Sequence, residues 1–424
     1  MTNALRIVLI LLAVSLIAGV ITGISLYYRL SYLWGGLLLI SFGMSRLSLR
    51  GVQVKRTARS LRSQVGQIFE ERFELQNPGR WLRLWIEVRD LSPLPGSRGS
   101  HVLTLVGGRE SRTYLSRTRL VERGVFPLGP TELVSGDLFG IFPARHTVSV
   151  KESVLVYPIM VEVQSFPNPP GLLPGGEALR RRTAQITSNA AGIREYAHGD
   201  PLNRIHWVST ARRDRLMVKE FELDPLAEVW LFLDAAHTVQ AARPYQWPEF
   251  DPRDFWRKKF QIQLPPSTLE YGVTIAASLA RYYLQHGRSV GLVSAGQSLQ
   301  VLPSDRGGRQ LGKILEALAL LRAEGNLPLQ GLVEAQARHL PRGSTVILIT
   351  PSASDAVYRV ADLLMRRGLR PVSVLLDAAT FGGYFSSEVV ENQMKALRVP
   401  CCRVIEGADL SAVLSTTISQ PSFT

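Results

Sequence analysis

The chain has 424 residues, which corresponds to about three folded domains at roughly 150 residues each. Hydrophobic residues make up 46% of it and charged residues 20%, a balance that excludes wholesale disorder. The net charge of +14 favours an anionic neighbour such as a phospholipid surface, a nucleic acid or an acidic protein. The two cysteines, Cys401 and Cys402, cannot form a disulfide framework or a zinc site, and we interpret them as ordinary buried or half-buried thiols.

Two apolar runs come first. Residues 7–28 carry no charge and are long enough to cross a hydrocarbon core of about 30 Å. Residues 30–44 form a shorter run that can cross back with its flanks, so residues 1–46 are predicted to be a two-helix transmembrane hairpin. A cleaved signal peptide is the alternative, which the long apolar run and the lack of an A-x-A-like site disfavour.

A cluster of cations without an acid follows the second run. Its members are Arg46, Arg50, Lys55, Arg56, Arg59 and Arg62. By the positive-inside rule this stretch is cytoplasmic, so both termini and the soluble domains are expected in the cytoplasm of a multi-pass membrane protein. The cluster is also expected to attract anionic phospholipid. Nucleic-acid binding is not expected, because no aromatic residues alternate with these cations.

Residues 47–165 are predicted to form an antiparallel β-sandwich. Hydrophobic residues alternate with polar ones from 82 to 89, as in a half-buried strand. Further strands are predicted at residues 67–75, 101–106, 112–121 and 153–157. Residues 166–190 are rich in proline and glycine and are interpreted as a linker.

Residues 225–424 alternate between buried strands and helices, which predicts a doubly wound α/β domain. The first strand covers residues 228–234, and Ser267 with Glu270 forms a capping box for a helix that runs to residue 287. Later strands are predicted at 289–294, 344–350 and 371–377, and helices at 308–322, 355–367 and from 409. Ligands bind such sheets at the carboxyl ends of the strands.

A polar signature segment, residues 191–224, lies between these domains. Asp200 is predicted to cap a helix that starts at Pro201 and continues to Arg212. Leu202, Ile205 and Val208 would form its buried stripe.

The run REYAHGDPLNRIHWVSTARRDRLMVKEFE resembles the signature of a bacterial membrane-protein family of unknown function, number fifty-eight. The resemblance extends to RGVFPLGPTELVSGDLFGIF, residues 123–142, and to Val-Tyr-Pro at 156–158. The signature residues are Arg194, Glu195, Tyr196, Gly199, Asp200, Arg204, His206, Trp207, Thr210, Arg212, Lys219 and Glu220. The family's activity is not established, and the resemblance implies association with MoxR-type AAA+ ATPases.

The resemblance also implies a C-terminal domain like von Willebrand factor A. Such domains often hold a divalent metal through D-x-S-x-S after the first strand and an acid after the fourth. Asp234 is present, but Ala236 and Thr238 stand in place of the serines, and Thr350-Pro351-Ser352 stands where the acid would be expected. We therefore expect no metal and no cofactor, with Asp234 as a weak candidate ligand in a degenerate site.

Two interpretations of the signature segment remain open. It is either an ion-paired latch that fixes the β-sandwich against the α/β domain, with Trp207 as its apolar anchor, or an arginine pocket for a phosphate or carboxylate. The first functional hypothesis is a membrane-anchored, non-enzymatic binding or scaffold protein that works with a MoxR-type ATPase or its clients. The alternative is a hydrolase or phosphoryl-transfer enzyme that uses the polar cluster from Glu195 to His206.

Overall fold

The computed structural model describes residues 2–97, 100–149, 151–167, 190–197, 205–221, 228–247 and 263–415, with the backbone alone for 190–194 and 219–221. These residues form two compact units. Residues up to Ile159 make most of the first unit, and most of the described residues from Met160 onward make the second. The predicted linker, residues 166–190, lies largely outside the described residues.

The first unit begins with two apolar helices, α1 (Asn3–Thr22) and α2 (Ser25–Ser48). Both are long and apolar enough to cross a membrane, which indicates membrane association. The turn between them comes earlier than predicted. Gly23 has a φ of 66° and donates its N–H to Gly19 O, so it ends α1, and Tyr28 therefore lies in α2. The hydroxyls of Ser15 and Ser31, 3.0 Å apart, join the two helices.

The rest of this unit consists of β-strands in several sheets. The strands are β1 (Gln53–Ala58), β2 (Arg62–Gln64), β3 (Ile68–Gln76), β4 (Arg83–Asp90), β5 (Ser100–Val106), β6 (Ser111–Arg119), β7 (Gly124–Pro127), β8 (Thr131–Gly136), β9 (Pro143–Val148) and β10 (Ser153–Tyr157). They form sheets in the orders β1-β3-β6, β5-β4-β8-β9 and β2-β10-β7. The pairing is antiparallel except between β2 and β10, which are parallel.

Alternation along the strands produces the core of this unit. Phe73 and Leu75 of β3 pack against Ile86 and Val88 of β4 and Leu133 of β8, so the sheets that contain β3 and β4 face each other. The five strands predicted from the sequence correspond to β3, β4, β5, β6 and β10. The strands β1, β2, β7, β8 and β9 were missed, and of these β2 and β7 are too short to show an alternating pattern.

Arg56 corrects the interpretation of the cation cluster. Its guanidinium donates from Nε to Glu71 Oε1 at 2.6 Å and from Nη1 to Asp90 Oδ1 at 2.9 Å. The side chains of Arg56 and Glu71 are only 2% and 1% exposed. Burial raises the pKa of Glu71, against the opposing effect of Arg56. Arg56 is therefore a core residue and cannot contact lipid head groups.

The signature segment lies in the second unit. It contains β11 (Ala190–Glu195), α3 (Trp207–Arg213) and β12 (Met217–Phe221), and β11 and β12 pair antiparallel. The helix starts later than predicted, because Ile205 forms a bridge with Val218 and His206 is the N-cap. Asp200 lies outside the described residues and cannot cap a helix that starts at Trp207.

A six-stranded sheet forms the centre of the second unit. Its strands are β13 (Val229–Leu233), β14 (Val290–Ala295), β15 (Leu299–Asp305), β16 (Thr345–Thr350), β17 (Arg370–Leu376) and β18 (Cys401–Val404). The spatial order is β15-β14-β13-β16-β17-β18, and only β15 runs antiparallel to its neighbour. When the six strands of this sheet are numbered along the chain, this is the order 3-2-1-4-5-6 of doubly wound folds.

Helices cover both faces of this sheet. They are α4 (Thr268–Gln285), α5 (Gly308–Leu320), α6 (Leu329–Gln336), α7 (Ala356–Arg366), α8 (Glu388–Ala396) and α9 (Leu410–Ser415). Trp230 and Phe232 pack with α6 and α7, whereas Leu233 lies beside Gly272 of α4 on the other face. The predicted strands and the helices α4, α5, α7 and α9 are confirmed, and β15, β18, α6 and α8 were missed. Cys401 and Cys402 are half-buried free thiols, as expected.

Candidate functional site

The order of the strands places a crevice at the carboxyl edge of the α/β sheet. The chain leaves β13 toward one side of the sheet and β16 toward the other, so the connections after these two strands separate. Asp234 follows β13, and Thr350 is the last residue of β16. Both side chains are buried.

Asp234 and Thr350 contact each other directly. The Thr350 hydroxyl donates to Asp234 Oδ2 at 2.7 Å, and the Ala236 N–H donates to Asp234 Oδ1 at 3.2 Å. Thr350 Oγ1 also accepts from the N–H of Ser352 at 3.0 Å. Burial raises the pKa of the Asp234 carboxyl, and the hydrogen bonds from Thr350 and Ala236 oppose that rise.

A second set of hydrogen bonds fixes the segment after Asp234. Gln240 Nε2 donates to the carbonyl oxygen of Asp234 at 2.7 Å. The hydroxyl of Thr268, at the start of α4, donates to Gln240 Oε1 at 2.7 Å and accepts from the N–H of Ala241 at 2.9 Å. The backbone from 234 to 241 is therefore held in one conformation.

These segments line an open groove with a volume of about 680 Å³, which we name the edge groove. Its lining includes Thr238, Gln240, Ser352, Ser354, Tyr384 and Phe385. The polar groups among these residues are neutral hydroxyls and amides. A groove of this size can take one or a few side chains of a partner.

The aromatic wall of the edge groove comes from the loop that follows β17. Tyr384 is 96% exposed and Phe385 is 73% exposed. The loop is tight, because a Cβ at Gly383 would lie 2.9 Å from Ala378 O. Its base is held by Asp377, which accepts from Ser387 N–H at 3.2 Å and from Arg403 Nε at 3.0 Å. Both aromatic rings are thus presented to solvent by an ordered loop.

The donor set of the edge groove does not fit the divalent cation that the von Willebrand factor A resemblance implies. The described residues that line the edge groove include no carboxylate, and the two oxygens of the buried Asp234 already accept from Thr350 and Ala236. Within the described ranges, no group of three or more His, Cys, Asp or Glu side chains could hold a metal. A hard cation prefers several charged oxygen ligands.

Only part of the signature segment is visible as side chains. Gly199, Asp200 and Arg204 lie outside the described residues, and Arg194, Lys219 and Glu220 are described by their backbone in β11 and β12. Thr210 Oγ1 accepts from Met217 N–H at 3.0 Å, which ties α3 to β12. Tyr196 donates its N–H to Leu216 O at 2.8 Å.

The prediction that Trp207 is a buried anchor is wrong. Its side chain is 66% exposed, and Val208 is 59% exposed. Ile205 is buried, as predicted, but through its bridge with Val218 and not through a helical stripe. Arg212 is exposed on the same helix, and Glu195 forms an exposed ion pair with Arg215 at 2.9 Å.

His206 approaches Ser209 because it caps α3. Its Nδ1 lies 2.8 Å from Ser209 Oγ and accepts from Ser209 N–H at 3.2 Å. This is the side-chain geometry of an N-cap. No third group that would orient the imidazole is found among the described residues nearby, so the contact alone does not form a catalytic triad.

Asp234, Thr350 and the groove residue Thr238 were singled out from the sequence, but the aromatic wall and the hydrogen bonds of Gln240 were missed. Gln240 and Thr268 lie on different segments, and only the fold brings them together. The available signal for the aromatic wall was FGGYF at residues 381–385, a glycine pair and two aromatic residues directly after a predicted strand.

Comparison with known proteins supports the resemblance over the signature segment. A family model described as protein of unknown function DUF58 matches residues 192–243. The chain is 21% identical over 310 residues to the uncharacterized protein YeaD of Bacillus subtilis (strain 168), covering 72% of this chain and 69% of that protein. The matched range includes most of the signature segment and both Asp234 and Gln240.

Similarity to solved structures is weak. The CARDB domain of the PF1109 protein from Pyrococcus furiosus, in complex with di-metal ions, is 13% identical, with a TM-score of 0.18, 25% of this chain and 91% of that chain covered. A GH20 exo-β-N-acetylglucosaminidase from Vibrio harveyi is 10% identical, with a TM-score of 0.17, 77% of this chain and 57% of that chain covered. Scores this low carry no argument about function.

Proposed function

We propose that this protein is a membrane-anchored, non-enzymatic binding protein whose α/β unit captures a protein partner in the edge groove. The observation that carries the proposal is the exposed pair Tyr384 and Phe385 on an ordered loop that lines the edge groove together with Thr238 and Gln240. Exposed aromatic residues at the border of a groove are typical of sites that dominate the affinity of protein interfaces.

The α/β unit is proposed to be a metal-free relative of von Willebrand factor A domains. The 3-2-1-4-5-6 strand order with an antiparallel third strand supports this assignment. Thr350 replaces the second acid and satisfies Asp234 by a hydrogen bond, so the partner would be recognised by packing and neutral hydrogen bonds. The partner we propose, on the family resemblance alone, is a MoxR-type AAA+ ATPase or one of its clients.

The helices α1 and α2 are proposed to cross the membrane as a hairpin, with the β-strands of the first unit and the whole second unit in the cytoplasm. The cations that remain exposed after α2 support this orientation, because translocating them is disfavoured. Reporter fusions after Arg62 test it. An active cytoplasmic reporter is expected there, and an active alkaline phosphatase would reverse the orientation.

Binding can be measured with the full chain in nanodiscs and the purified MoxR-type ATPase encoded in the same genome. Tyr384→Ala combined with Phe385→Ala is expected to weaken the affinity about 30-fold or more, as expected for central aromatic contacts. Leu299→Ala is the matched control, because Leu299 is also exposed but lies on β15, two strands away from β13. Equal affinity of the aromatic variant and the control would exclude the edge groove, and no binding by the wild type would exclude this partner.

An enzyme that uses the cluster from Glu195 to His206 is the second candidate. The contact between His206 Nδ1 and Ser209 Oγ is the observation that favours it. Stoichiometric zinc or manganese in the purified protein, or labelling by a serine-hydrolase probe that Ser209→Ala abolishes, would support the enzyme. We expect neither result.

A further inference from the structure

The loop that joins β8 to β9 is held rigid by one buried carboxylate. Asp137 accepts hydrogen bonds from the N–H groups of Phe139 at 3.0 Å, Ile141 at 3.2 Å and Phe142 at 2.7 Å. Gly140 has a φ of 68°, a conformation that glycine adopts without strain. Asp137 is the second residue of the GDLFGIF motif, residues 136–142, and its hydrogen bonds explain why an acid stands there.

The tip of this loop is apolar and exposed. The side chain of Leu138 is 62% exposed and that of Phe139 is 57% exposed, whereas Ile141 is buried. The folding of the loop uses the carboxylate of Asp137 and the backbone, so it does not require large apolar side chains at the tip. An ordered loop that presents two such residues to solvent indicates a contact surface.

The loop lies beside the ends of both apolar helices within the same unit. The hydroxyl of Thr2, which caps α1, donates to the carbonyl oxygen of Ile141 at 2.7 Å. The ring of Phe142 makes an edge-to-face contact with Phe42 of α2, with 5.6 Å between the ring centroids. The guanidinium of Arg46 lies 5.3 Å from the centroid of the Phe42 ring.

These contacts fix the level of the loop along the helices. The start of α1 and the last turns of α2 lie at the same end of the hairpin, and Phe42 is about 9 Å from the end of α2. When the two helices cross a bilayer, this end reaches the head groups, where arginine and aromatic residues are favoured. The loop tip is then at the depth of the membrane interface.

We propose that the β8–β9 loop inserts Leu138 and Phe139 into the membrane interface and so holds the β-strands of the first unit against the bilayer. The occupant is lipid, because the loop contacts the ends of α1 and α2 that reach the head groups when the helices cross a bilayer. The inference rests on the membrane anchoring proposed above, and it goes beyond it by assigning a third lipid contact outside the helices. Apolar side chains next to cations are the usual composition of interfacial anchors.

The test places an environment-sensitive NBD fluorophore at the loop tip of the full chain in lipid nanodiscs. Leu138→Cys is labelled in a Cys401→Ser/Cys402→Ser background. The matched control is Ile68→Cys, which is also partly exposed and lies at the far end of β3. Gln76, at the other end of β3, pairs with Gln53 close to α2, so Ile68 is about 27 Å away along the strand.

The label at position 138 is expected to emit at shorter wavelength than the label at 68 and to lose intensity when lipids carry a doxyl quencher near the head group. Water-like emission at 138 without quenching overturns the proposal. A shortened wavelength that persists in lipid-free amphipol, without doxyl quenching in nanodiscs, would mean a contact with protein such as a second copy, and also overturns it. Resistance of the unlabelled chain to carbonate extraction from liposomes reports separately on anchoring by α1 and α2.

Discussion

Replacing Thr350 by valine removes the hydroxyl that satisfies Asp234 while keeping the shape of the side chain. Thr350 is fully buried, and its hydroxyl donates to Asp234 Oδ2 at 2.7 Å and accepts from Ser352 N–H at 3.0 Å. In Thr350→Val, one oxygen of a buried carboxyl loses its hydrogen bond. A hydrogen bond to a charged group contributes about 1.5 to 3 kcal/mol.

A loss of that size lowers the melting temperature of a unit of about 200 residues by about 3 to 12 °C. Thr345→Val is the matched control, since Thr345 lies on the same strand, is buried, and has a hydroxyl without a hydrogen-bond partner among the described residues. That variant should melt at or above the temperature of the wild type. Differential scanning fluorimetry of the full chain in detergent measures the melting temperatures of the wild type and the two variants. Equal melting of Thr350→Val and Thr345→Val would refute the role assigned to Thr350.

Three further predictions concern residues whose environment is now defined. Burial raises the pKa of Asp234 above its value in the unfolded chain, so the contribution of this carboxyl to stability falls as the pH rises from about 4 through the raised pKa. The melting temperature of Asp234→Asn, measured relative to that of the wild type, should therefore increase between about pH 4 and 8. Curves of melting temperature against pH that run parallel for the two proteins would contradict this. Arg56→Met removes the cation that pairs with Glu71 and Asp90, and it should lower the free energy of unfolding by about 3 to 5 kcal/mol. Arg59→Met should lower it by less than about 1 kcal/mol, because the ion pair of Arg59 is exposed. Denaturant unfolding measures both changes. Trp207→Ala should change the free energy of unfolding by less than about 1 kcal/mol, since the ring is 66% exposed, and a loss of about 3 to 5 kcal/mol would show that the ring is buried in solution.

The strands could be predicted where burial produces a regular pattern of hydrophobic residues in the sequence. Residues 82–89 alternate because one face of β4 is buried, and residues 346–349 are continuously apolar because β16 is covered on both faces. The strand β15 was missed because it lies at the sheet edge, contains Pro303 and exposes every second side chain. The end of α1 was placed too late, since no charge marks the turn and only Gly23 signals it.

The error at Trp207 has a specific cause. The buried stripe was assigned for a helix that starts at Pro201, and a start at Trp207 leaves no residue of α3 buried. Ile205 is buried by strand pairing, so one buried position of the supposed stripe was correct for a different reason. A short helix next to a strand offers too few residues for periodicity to decide where it begins.

The presence of Thr350 where the von Willebrand factor A pattern has an acid also bears on the chemistry of the partner. A cation at the edge groove would attract an acidic group, but it would have to displace the hydrogen bonds that Thr350 and Ala236 make to Asp234. The remaining groups on the groove wall are neutral hydroxyls, amides and the rings of Tyr384 and Phe385. Binding to such a surface depends on the burial of apolar area more than on charge, and salt screens interactions between charges but weakens apolar contacts little. The affinity for the partner should therefore change little with ionic strength, despite the net charge of +14 on the chain.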